Sequence, residues 1–291
     1  MTLAMVTFAT ADSAIKIVSE SLPTGQILTG LGAGGALLFA AILRGRGMPL
    51  ITPHWSHPGV LARNGSEILG TIGIVSALAM IPFSQASAIM QAAPLVVTLG
   101  AALFLKEKVG VRRWSVVLLG LVGVLIIVAP NPGDPITAGT LLAVIGMIGL
   151  SSRDLCTRFA PSEADNAQLA LLAMLATTLA GIGLALYQQV IWPSPDLREA
   201  GLLALMVLSA GLAYFCVTAA MRLGDVSAVA PFRYTRIVFA FTIAVLVFGE
   251  TLTNRTLLGT ALIVVAGLYT LLRERKLALE SANLSPSETQ T

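Results

Sequence analysis

The chain has 291 residues, of which 56% are hydrophobic and only 11% charged, with a formal net charge of +3. Soluble domains carry roughly 25% charged residues, so this composition excludes an ordinary soluble globule and indicates a protein embedded in lipid. The basic residues form no stripe with interleaved aromatic side chains, and we therefore predict no nucleic-acid partner.

Ten apolar segments approach the ~20 residues that a helix needs to cross a bilayer. The first half contains Leu3–Ser19, Thr24–Leu43, Asn64–Ile81, Ser84–Leu105 and Val111–Ala129. The second half contains Ala138–Phe159, Ala167–Tyr187, Ala200–Met221, Val226–Phe248 and Thr256–Leu272. Turn sequences separate the segments, and none alternates with the period of a strand. The sequence predicts an all-α membrane protein with ten transmembrane helices.

Lysine and arginine residues indicate the orientation in the membrane. If the ten helices alternate in direction, one side receives Arg44, Arg46, Arg63, Lys106, Lys108, Arg112, Arg113, Arg158, Arg222, Arg273, Arg275 and Lys276. The other side receives only Lys16, Arg198 and Arg255. The positive-inside rule makes the first side cytoplasmic, so we predict a multi-pass protein of a bacterial inner membrane with both termini inside. Residues 277–291 are polar and are predicted to be a disordered cytoplasmic tail.

The two halves of the chain resemble each other. Asp12 and Lys16 precede Asp154 and Arg158 by 142 residues, and a Glu-terminated motif recurs at an offset of 143. Each half holds five predicted helices, an odd number, so the second half enters the membrane inverted. Residues 1–130 and 138–275 are therefore predicted to be two inverted repeats, an architecture of secondary carriers with a substrate site near the midplane.

Several motifs carry a family resemblance over roughly residues 1 to 275. They are a helix ending in Asp12-x-x-x-Lys16, the run from Ser87-Ala88 to Pro94, Leu-Phe-Leu-Lys-Glu ending at Glu107, and Phe-Gly-Glu ending at Glu250. With these motifs the chain resembles the EamA type of the drug/metabolite transporter superfamily. The resemblance implies a ten-helix carrier for substrates such as amino acids, nucleotide sugars, riboflavin, S-adenosylmethionine or drugs. The repeat departs from symmetry at Pro94, where the second half has Ile237.

Ionised side chains at membrane depth are candidate functional residues because they cost ~2.5–3.5 kcal/mol on insertion scales. Asp12 and Lys16 are four residues apart and are predicted to meet on one helix face, and Asp154 and Arg158 repeat that spacing. Two interpretations stay open for these pairs. They neutralise themselves where the repeats pack together, or they form a polar wall of the substrate cavity.

Three arginines break the symmetry of the repeat. Arg153 lies about 100° around its helix from Asp154 and is not expected to duplicate the acid–base pair. Arg233 and Arg236 share a face of the ninth predicted helix. An excess of arginine in a dry site suits a carboxylate or phosphate, so we predict that these residues face the cavity. The alternative is that Arg233 and Arg236 extend to the cytoplasmic surface.

Gln91 and Tyr234 are equivalent under the offset of 143 and are predicted to face each other across a cavity lined by the first, fourth, sixth and ninth helices. Glu67 is interpreted as a carboxylate at the N-terminus of the third helix, where the helix dipole favours it. Glu107 and Glu250 are interpreted as residues of an interface or loop anchor.

Other apparent motifs carry no function in this interpretation. A Gly-x-Gly-x-x-Gly match at Gly30–Gly35 lies inside an apolar span without a preceding strand, so its glycines are expected to pack helices. His54 and His57 lack further ligands, and no phosphate-binding loop is present. We predict no metal, no cofactor and no catalytic residues.

The sequence therefore predicts a secondary transporter for a small organic metabolite, such as an amino acid or another carboxylate-bearing or zwitterionic compound. It predicts that a monomer suffices, because the fused repeats supply both halves of the cavity. One alternative is a proton-coupled multidrug or cation exporter that uses Asp12, which the arginines disfavour. Alternatives from other classes are an intramembrane lipid-modifying enzyme, for which no nucleophile or metal cluster is found at depth, and a non-transporting sensor.

Overall fold

The computed structural model describes residues 1–104, 111–129, 136–161, 163–223 and 230–284. Its α-helices are α1 (Thr2–Val18), α2 (Thr24–Gly45), α3 (Pro58–Met80), α4 (Phe83–Met90), α5 (Ala93–Phe104), α6 (Val111–Val128), α7 (Ala138–Cys156), α8 (Asn166–Gln188), α9 (Leu197–Leu223), α10 (Arg236–Leu246) and α11 (Asn254–Leu284). Short 3-10 helices lie at Pro53–Ser56, Thr157–Phe159 and Ala230–Thr235. All regular structure in these described ranges is helical, which confirms the predicted fold class.

Six helical segments in the described ranges have the length and hydropathy needed to cross a bilayer. They are Thr24–Gly45, Phe83–Phe104, Ala138–Phe159, Asn166–Gln188, Leu197–Val217 and Asn254–Arg273, and a shorter apolar helix covers Trp114–Val128. Many large apolar side chains on these helices are exposed, such as Leu37, Leu179 and Leu186. Outward-facing leucine is the surface that lipid requires, so the protein is a multi-pass membrane protein.

The most extensive helix–helix contacts join the first half of the chain to the second. They pair α3 with α7, α1 with α9, α2 with α8, and α6 with α11. By their order in the two halves, α1 corresponds to α7, α2 to α8, α3 to α9 and α6 to α11. If each helix is exchanged for its equivalent, the α3–α7 pair becomes the α9–α1 pair, and the α2–α8 and α6–α11 pairs stay the same. This is the contact pattern that a two-fold relation between the halves produces.

Glycines bring α3 and α7 into close contact. A Cβ atom added to Gly73 would lie 2.6 Å from the Gly146 nitrogen, and one added to Gly149 would lie 2.5 Å from the Gly70 nitrogen. The two backbones approach so closely that no side chain fits between them. Small residues allow this kind of packing where lipid offers no hydrophobic driving force for helix association.

The substitution Gly73→Ala is therefore expected to destabilise the α3–α7 contact, because overpacking a tight interior costs about 1–3 kcal/mol. Gly65 lies on the same helix with nothing within 4 Å of an added Cβ, which makes Gly65→Ala the matched control. We expect a lower thermal midpoint in detergent for Gly73→Ala and an unchanged or higher one for Gly65→Ala, since alanine favours helix. Equal midpoints for the two variants would contradict the close packing.

The fourth predicted span, Ser84–Leu105, corresponds to the apolar segment Phe83–Phe104, which a break divides into two helices. The helix α4 ends at Met90, and α5 begins at Ala93. Pro94 explains the break, because proline has no N–H to donate to the carbonyl of Met90 one turn earlier. The ninth predicted helix is also irregular, since residues 230–235 form a 3-10 helix and regular α-helix begins only at Arg236. The predicted start of that helix, at residues 226–229, lies outside the described residues.

The two irregular segments touch at equivalent positions. The Gln91 side chain is buried, and its Nε2 donates a hydrogen bond to the backbone carbonyl of Tyr234 at 3.2 Å. This bond satisfies one backbone carbonyl in a stretch where the regular α-helical pattern is absent.

The last helix is longer than the sequence suggested. The predicted disordered tail starts at residue 277, whereas α11 continues to Leu284, and residues 285–291 lie outside the described residues. The sequence from Glu274 to Glu280 is rich in leucine, lysine, arginine and glutamate, which all favour helix, so the helix extends past the apolar segment.

Candidate functional site

A cavity of about 510 Å³ lies between the two halves of the protein. Its volume falls in the range of roughly 300–1,000 Å³ that is usual for small-molecule sites. The charged side chains that line it are Arg63, Glu67, Arg153, Asp154 and Arg233. Among the described residues, three arginines and two carboxylates leave one net positive charge.

The rest of the wall is largely apolar and aromatic. It includes Phe8, Phe39, Met174, Val207 and Tyr214. The rings of Phe39 and Tyr214 meet edge to face with their centroids 5.0 Å apart. A ligand that fills this space therefore meets ionised groups and an apolar surface together.

Glu67, Arg153 and Asp154 form an ionic cluster across the interface between the halves. Nη1 of Arg153, on α7, lies 3.2 Å from Oε2 of Glu67, on α3. The same guanidinium donates through Nε and Nη2 to Oδ1 of Asp154, at 3.0 and 2.8 Å. Thr71 donates a further hydrogen bond to Glu67 Oε1 at 3.3 Å. Arg153 therefore holds two carboxylates that would otherwise repel each other.

Two sequence interpretations are corrected by this cluster. Glu67 does not open the third helix, because α3 begins at Pro58, nine residues earlier, and the carboxylate is buried beside Arg153. Asp154 bonds to Arg153 rather than forming the predicted pair with Arg158. The side chain of Arg153 is long enough to bend back to its neighbour in sequence, so the angle between their Cα positions did not keep them apart.

Arg63 joins three helices at one end of the cavity. Its Nε donates to Thr157 Oγ1 at 3.2 Å, and its Nη1 donates to Asn64 Oδ1 at 3.3 Å and to the Leu169 carbonyl at 3.2 Å. These three acceptors are neutral. Arg63 is therefore fixed in position without an ion pair among the residues that the structure describes.

A second ion pair between the halves lies behind the cavity wall. Asp12, on α1, pairs with Nη2 of Arg236, at the start of α10. The Arg236 guanidinium also lies over the ring of Phe8, 5.3 Å from its centroid, and Phe8 lines the cavity. The predicted pairing of Asp12 with Lys16 is therefore wrong. Both side chains have closer partners on other segments of the chain.

Lys16 and Glu250 belong to a cluster at the opposite end of the protein. Lys16 Nζ donates to the Ile81 carbonyl at 2.8 Å. The carboxylate of Glu250 accepts hydrogen bonds from the backbone nitrogens of Phe83 at 2.5 Å and Ser84 at 2.9 Å. Glu250 thus caps the first turn of α4, where unpaired N–H groups and the helix dipole favour an anion. This agrees with its interpretation as an anchoring residue, while Glu107 lies outside the described residues.

The predicted site residues divide into two groups. Arg153, Asp154 and Arg233 line the cavity. The remaining five, Asp12, Lys16, Gln91, Tyr234 and Arg236, are placed elsewhere. The hydroxyl of Tyr234 points at Gly267, where an added Cβ would lie 1.8 Å away, so its ring packs against α11. The cavity is lined by α1, α2, α3, α7, α8, α9 and Arg233, without a contribution from α4 or α5 in the described part of the chain.

Sequence reasoning missed Arg63 and Glu67 as cavity residues. A signal was present, because the two residues are four apart at the start of an apolar helix, the same spacing that drew attention to Asp12 and Lys16. The sequence places Arg63 and Glu67 at the membrane surface because it predicts that the third helix begins at Asn64. The helix α3 instead begins at Pro58, so both residues lie inside it.

No group of three histidine, cysteine or acidic side chains in the described ranges is arranged to hold a metal ion. His57 has a structural role instead, because its Nδ1 accepts a hydrogen bond from the Gly59 nitrogen at 3.2 Å and caps α3. Both carboxylates of the cavity hydrogen-bond to Arg153, Glu67 through both oxygens and Asp154 through Oδ1 alone.

A helical membrane protein with a charged cavity between two halves has the features of a small-molecule transporter. The chain belongs to the EamA-like transporter family, which matches residues 1–129 and again residues 137–272. It is thus a member of the drug/metabolite transporter superfamily, as its motifs indicated. One solved crystal structure covers 94% of this chain and 96% of its own length at a TM-score of 0.65 and 21% identity, and shows the same fold.

Three curated relatives are named as transporters of different compounds. A riboflavin transporter of Rhizobium johnstonii is 28% identical over 94% of this chain and 91% of its own length. A pseudopaline exporter of Pseudomonas aeruginosa is 27% identical over 91% of this chain and 92% of its own. An S-adenosylmethionine uptake transporter of Rickettsia bellii is 28% identical over 68% of this chain and 67% of its own.

Proposed function

We propose that this protein is a secondary transporter that moves a small organic metabolite with a carboxylate or zwitterionic group across a bacterial inner membrane. The observation that carries the proposal is the cavity between the halves, where the five charged side chains among the described residues sum to one positive charge. Guanidinium groups bind planar anions in bidentate fashion, and their attraction is strong where water is excluded. The relatives named for riboflavin and S-adenosylmethionine support a substrate of metabolite size.

The proposed mechanism is alternating access between two inverted five-helix repeats, with ten spans and both termini inside. Two observations support it: the family matches the chain twice, in residues 1–129 and 137–272, and the principal helix contacts follow a two-fold pattern. Each half supplies part of the cavity, so a monomer is sufficient for this mechanism.

The cavity lies towards the side that the positive-inside rule makes cytoplasmic. Contacts between the halves close the other side, where Glu250 binds the start of α4 and Gln26 Nε2 donates to the Pro193 carbonyl at 2.9 Å. The conformation is therefore interpreted as inward-facing. Outward opening requires that these contacts break.

A cation exporter driven by Asp12 is the rival function within the same fold. Such a protein needs an acid that is available to a cationic substrate or a proton. Here Asp12 is paired with Arg236, and the net charge of the cavity disfavours cations. We therefore favour the anionic or zwitterionic substrate.

Counterflow in proteoliposomes tests the proposal. Vesicles are loaded with one unlabelled compound at a time from a panel of amino acids, riboflavin, S-adenosylmethionine and quaternary ammonium drugs, and uptake of the labelled compound is followed. We expect transient accumulation of at least one compound that carries a carboxylate and of none of the quaternary ammonium drugs. Accumulation confined to the cationic drugs would overturn the proposal in favour of the exporter.

A further inference from the structure

The charged groups of the cavity differ in how fully their hydrogen-bonding capacity is used. All three nitrogens of the Arg153 guanidinium donate to Glu67 or Asp154, and both oxygens of Glu67 accept from Arg153. Arg153 and Glu67 therefore satisfy each other and offer little to a ligand. Arg236, the arginine that the sequence favoured, lies behind Phe8 and is neutralised by Asp12.

Arg63 and Arg233 are the two cavity arginines without an ion pair among the described residues, and Arg63 is the one that hydrogen bonds hold in place. Its Nε and Nη1 bind the neutral oxygens of Thr157, Asn64 and Leu169, and its Nη2 makes no hydrogen bond to the described part of the protein. A guanidinium has five N–H donors, so Arg63 keeps donors and a full positive charge that no carboxylate in the described ranges contacts directly. The three hydrogen bonds to uncharged oxygens hold the Arg63 guanidinium in a fixed orientation at the cavity wall.

Asp154 is the carboxylate with capacity to spare. Both hydrogen bonds from Arg153 end on its Oδ1. Its Oδ2 has no donor among the described residues, and the side chain keeps 36% of its accessible surface, against 6% for Glu67. The cavity therefore presents one unused acceptor that carries negative charge, on the helix that faces Arg63 across the interface of the halves.

We propose that Arg63 binds the carboxylate of the substrate and that Asp154 Oδ2 binds its ammonium group, so the substrate is an α-amino acid or a similar zwitterion. This inference rests on the proposed transport function. Arg63 and Asp154 line the same cavity, so one ligand can meet both charges. The apolar wall around Phe39, Met174 and Val207 would then receive the side chain of the substrate.

Matched probes that differ only in charge test the inference. The purified protein is incubated with three pools: amino acids with apolar side chains, the carboxamides of the same amino acids, and the corresponding acids without the amino group. We expect the zwitterions to raise the thermal midpoint and to support counterflow. The amides lose the partner of Arg63 and the deaminated acids lose the partner of Asp154, so both pools are expected to bind about 10- to 100-fold more weakly, as for loss of a charge-assisted hydrogen bond.

Substitutions assign the two roles. Arg63→Gln is expected to weaken zwitterion binding by the same roughly 10- to 100-fold, and Arg63→Lys to retain part of it, because lysine keeps the charge but not the planar fork. Asp154→Asn is expected to reduce the preference for zwitterions over deaminated acids. The exposed residue Arg46 provides the matched control, Arg46→Gln, for which we expect wild-type binding.

The outcomes separate this inference from the proposed function. Counterflow of riboflavin, or of deaminated acids as readily as amino acids, would leave a transporter but overturn the zwitterion site. Wild-type zwitterion affinity in folded Arg63→Gln and Arg63→Lys would overturn the role of Arg63. Absence of counterflow for every compound of the metabolite panel would instead contradict the proposed function itself.

Discussion

Replacement of Arg153 by Gln is expected to produce the largest loss of stability among single changes in the cavity. Arg153 is the hydrogen-bonded cation for both Glu67 and Asp154, and Glu67 keeps only 6% of its side-chain surface accessible. Removing one partner of a buried ion pair typically costs about 3–5 kcal/mol, because the remaining charge stays in a medium that solvates it poorly. Two carboxylates would then face each other across the interface between α3 and α7. Unfolding of the purified protein in mixed micelles with increasing sodium dodecyl sulfate measures the effect.

A double-mutant cycle attributes this loss to the ion pair. Glu67→Gln alone is expected to have a smaller effect than Arg153→Gln, because Arg153 keeps Asp154 as its partner. The double variant Arg153→Gln with Glu67→Gln is expected to be more stable than Arg153→Gln alone, since the buried carboxylate is then neutral. Arg46→Gln and Glu163→Gln make the same charge changes at exposed positions, and both are expected to leave the stability of the protein unchanged. Additive effects in the cycle would contradict the coupling.

The positions of the apolar helices follow largely from the sequence because lipid imposes simple requirements on length and hydropathy. Apolar length predicts the helices, and the observed bounds of α1, α2 and α8 differ from prediction by at most two residues at either end. The failures fall where the backbone is irregular. The break before Ala93 depends on Pro94, a residue that membrane helices also tolerate without a break, so its presence alone did not decide the outcome.

The contents of the cavity were harder to predict, because ion pairing is decided by contacts between helices and not by spacing within one. Asp12 is four residues from Lys16, yet its partner is Arg236, 224 positions away. Helix geometry predicts that Arg153 and Asp154 point in different directions, yet the long side chain of Arg153 bonds both to Asp154 and to Glu67 on α3. A repeat shows which residues are equivalent, but it does not show which of them touch.

Substitution of either partner in the Asp12–Arg236 ion pair is the second change expected to cause a large loss of stability and transport, because the pair links α1 to α10 at membrane depth. A single unpaired charge there costs about 2.5–3.5 kcal/mol on insertion scales. We expect Asp12→Asn and Arg236→Gln each to lower the stability of the protein in mixed micelles and to reduce counterflow strongly. Phe8→Leu removes only the ring beneath the guanidinium and is expected to have a milder effect, of about 0.5–2 kcal/mol.

The double variant Asp12→Asn with Arg236→Gln separates the two functions that the fold allows. If Asp12 serves only as the counter-charge of Arg236, neutralising both residues leaves no unpaired charge, so stability and counterflow are expected to recover in large part. If Asp12 instead carries protons in an exporter, the double variant stays unable to couple transport to an imposed pH gradient even when it folds. Counterflow therefore reports whether the site is intact, and gradient-driven uptake in the same vesicles reports the coupling. Recovery of counterflow without gradient-driven uptake would identify Asp12 as the proton acceptor. It would overturn the assignment of Asp12 as a structural partner of Arg236.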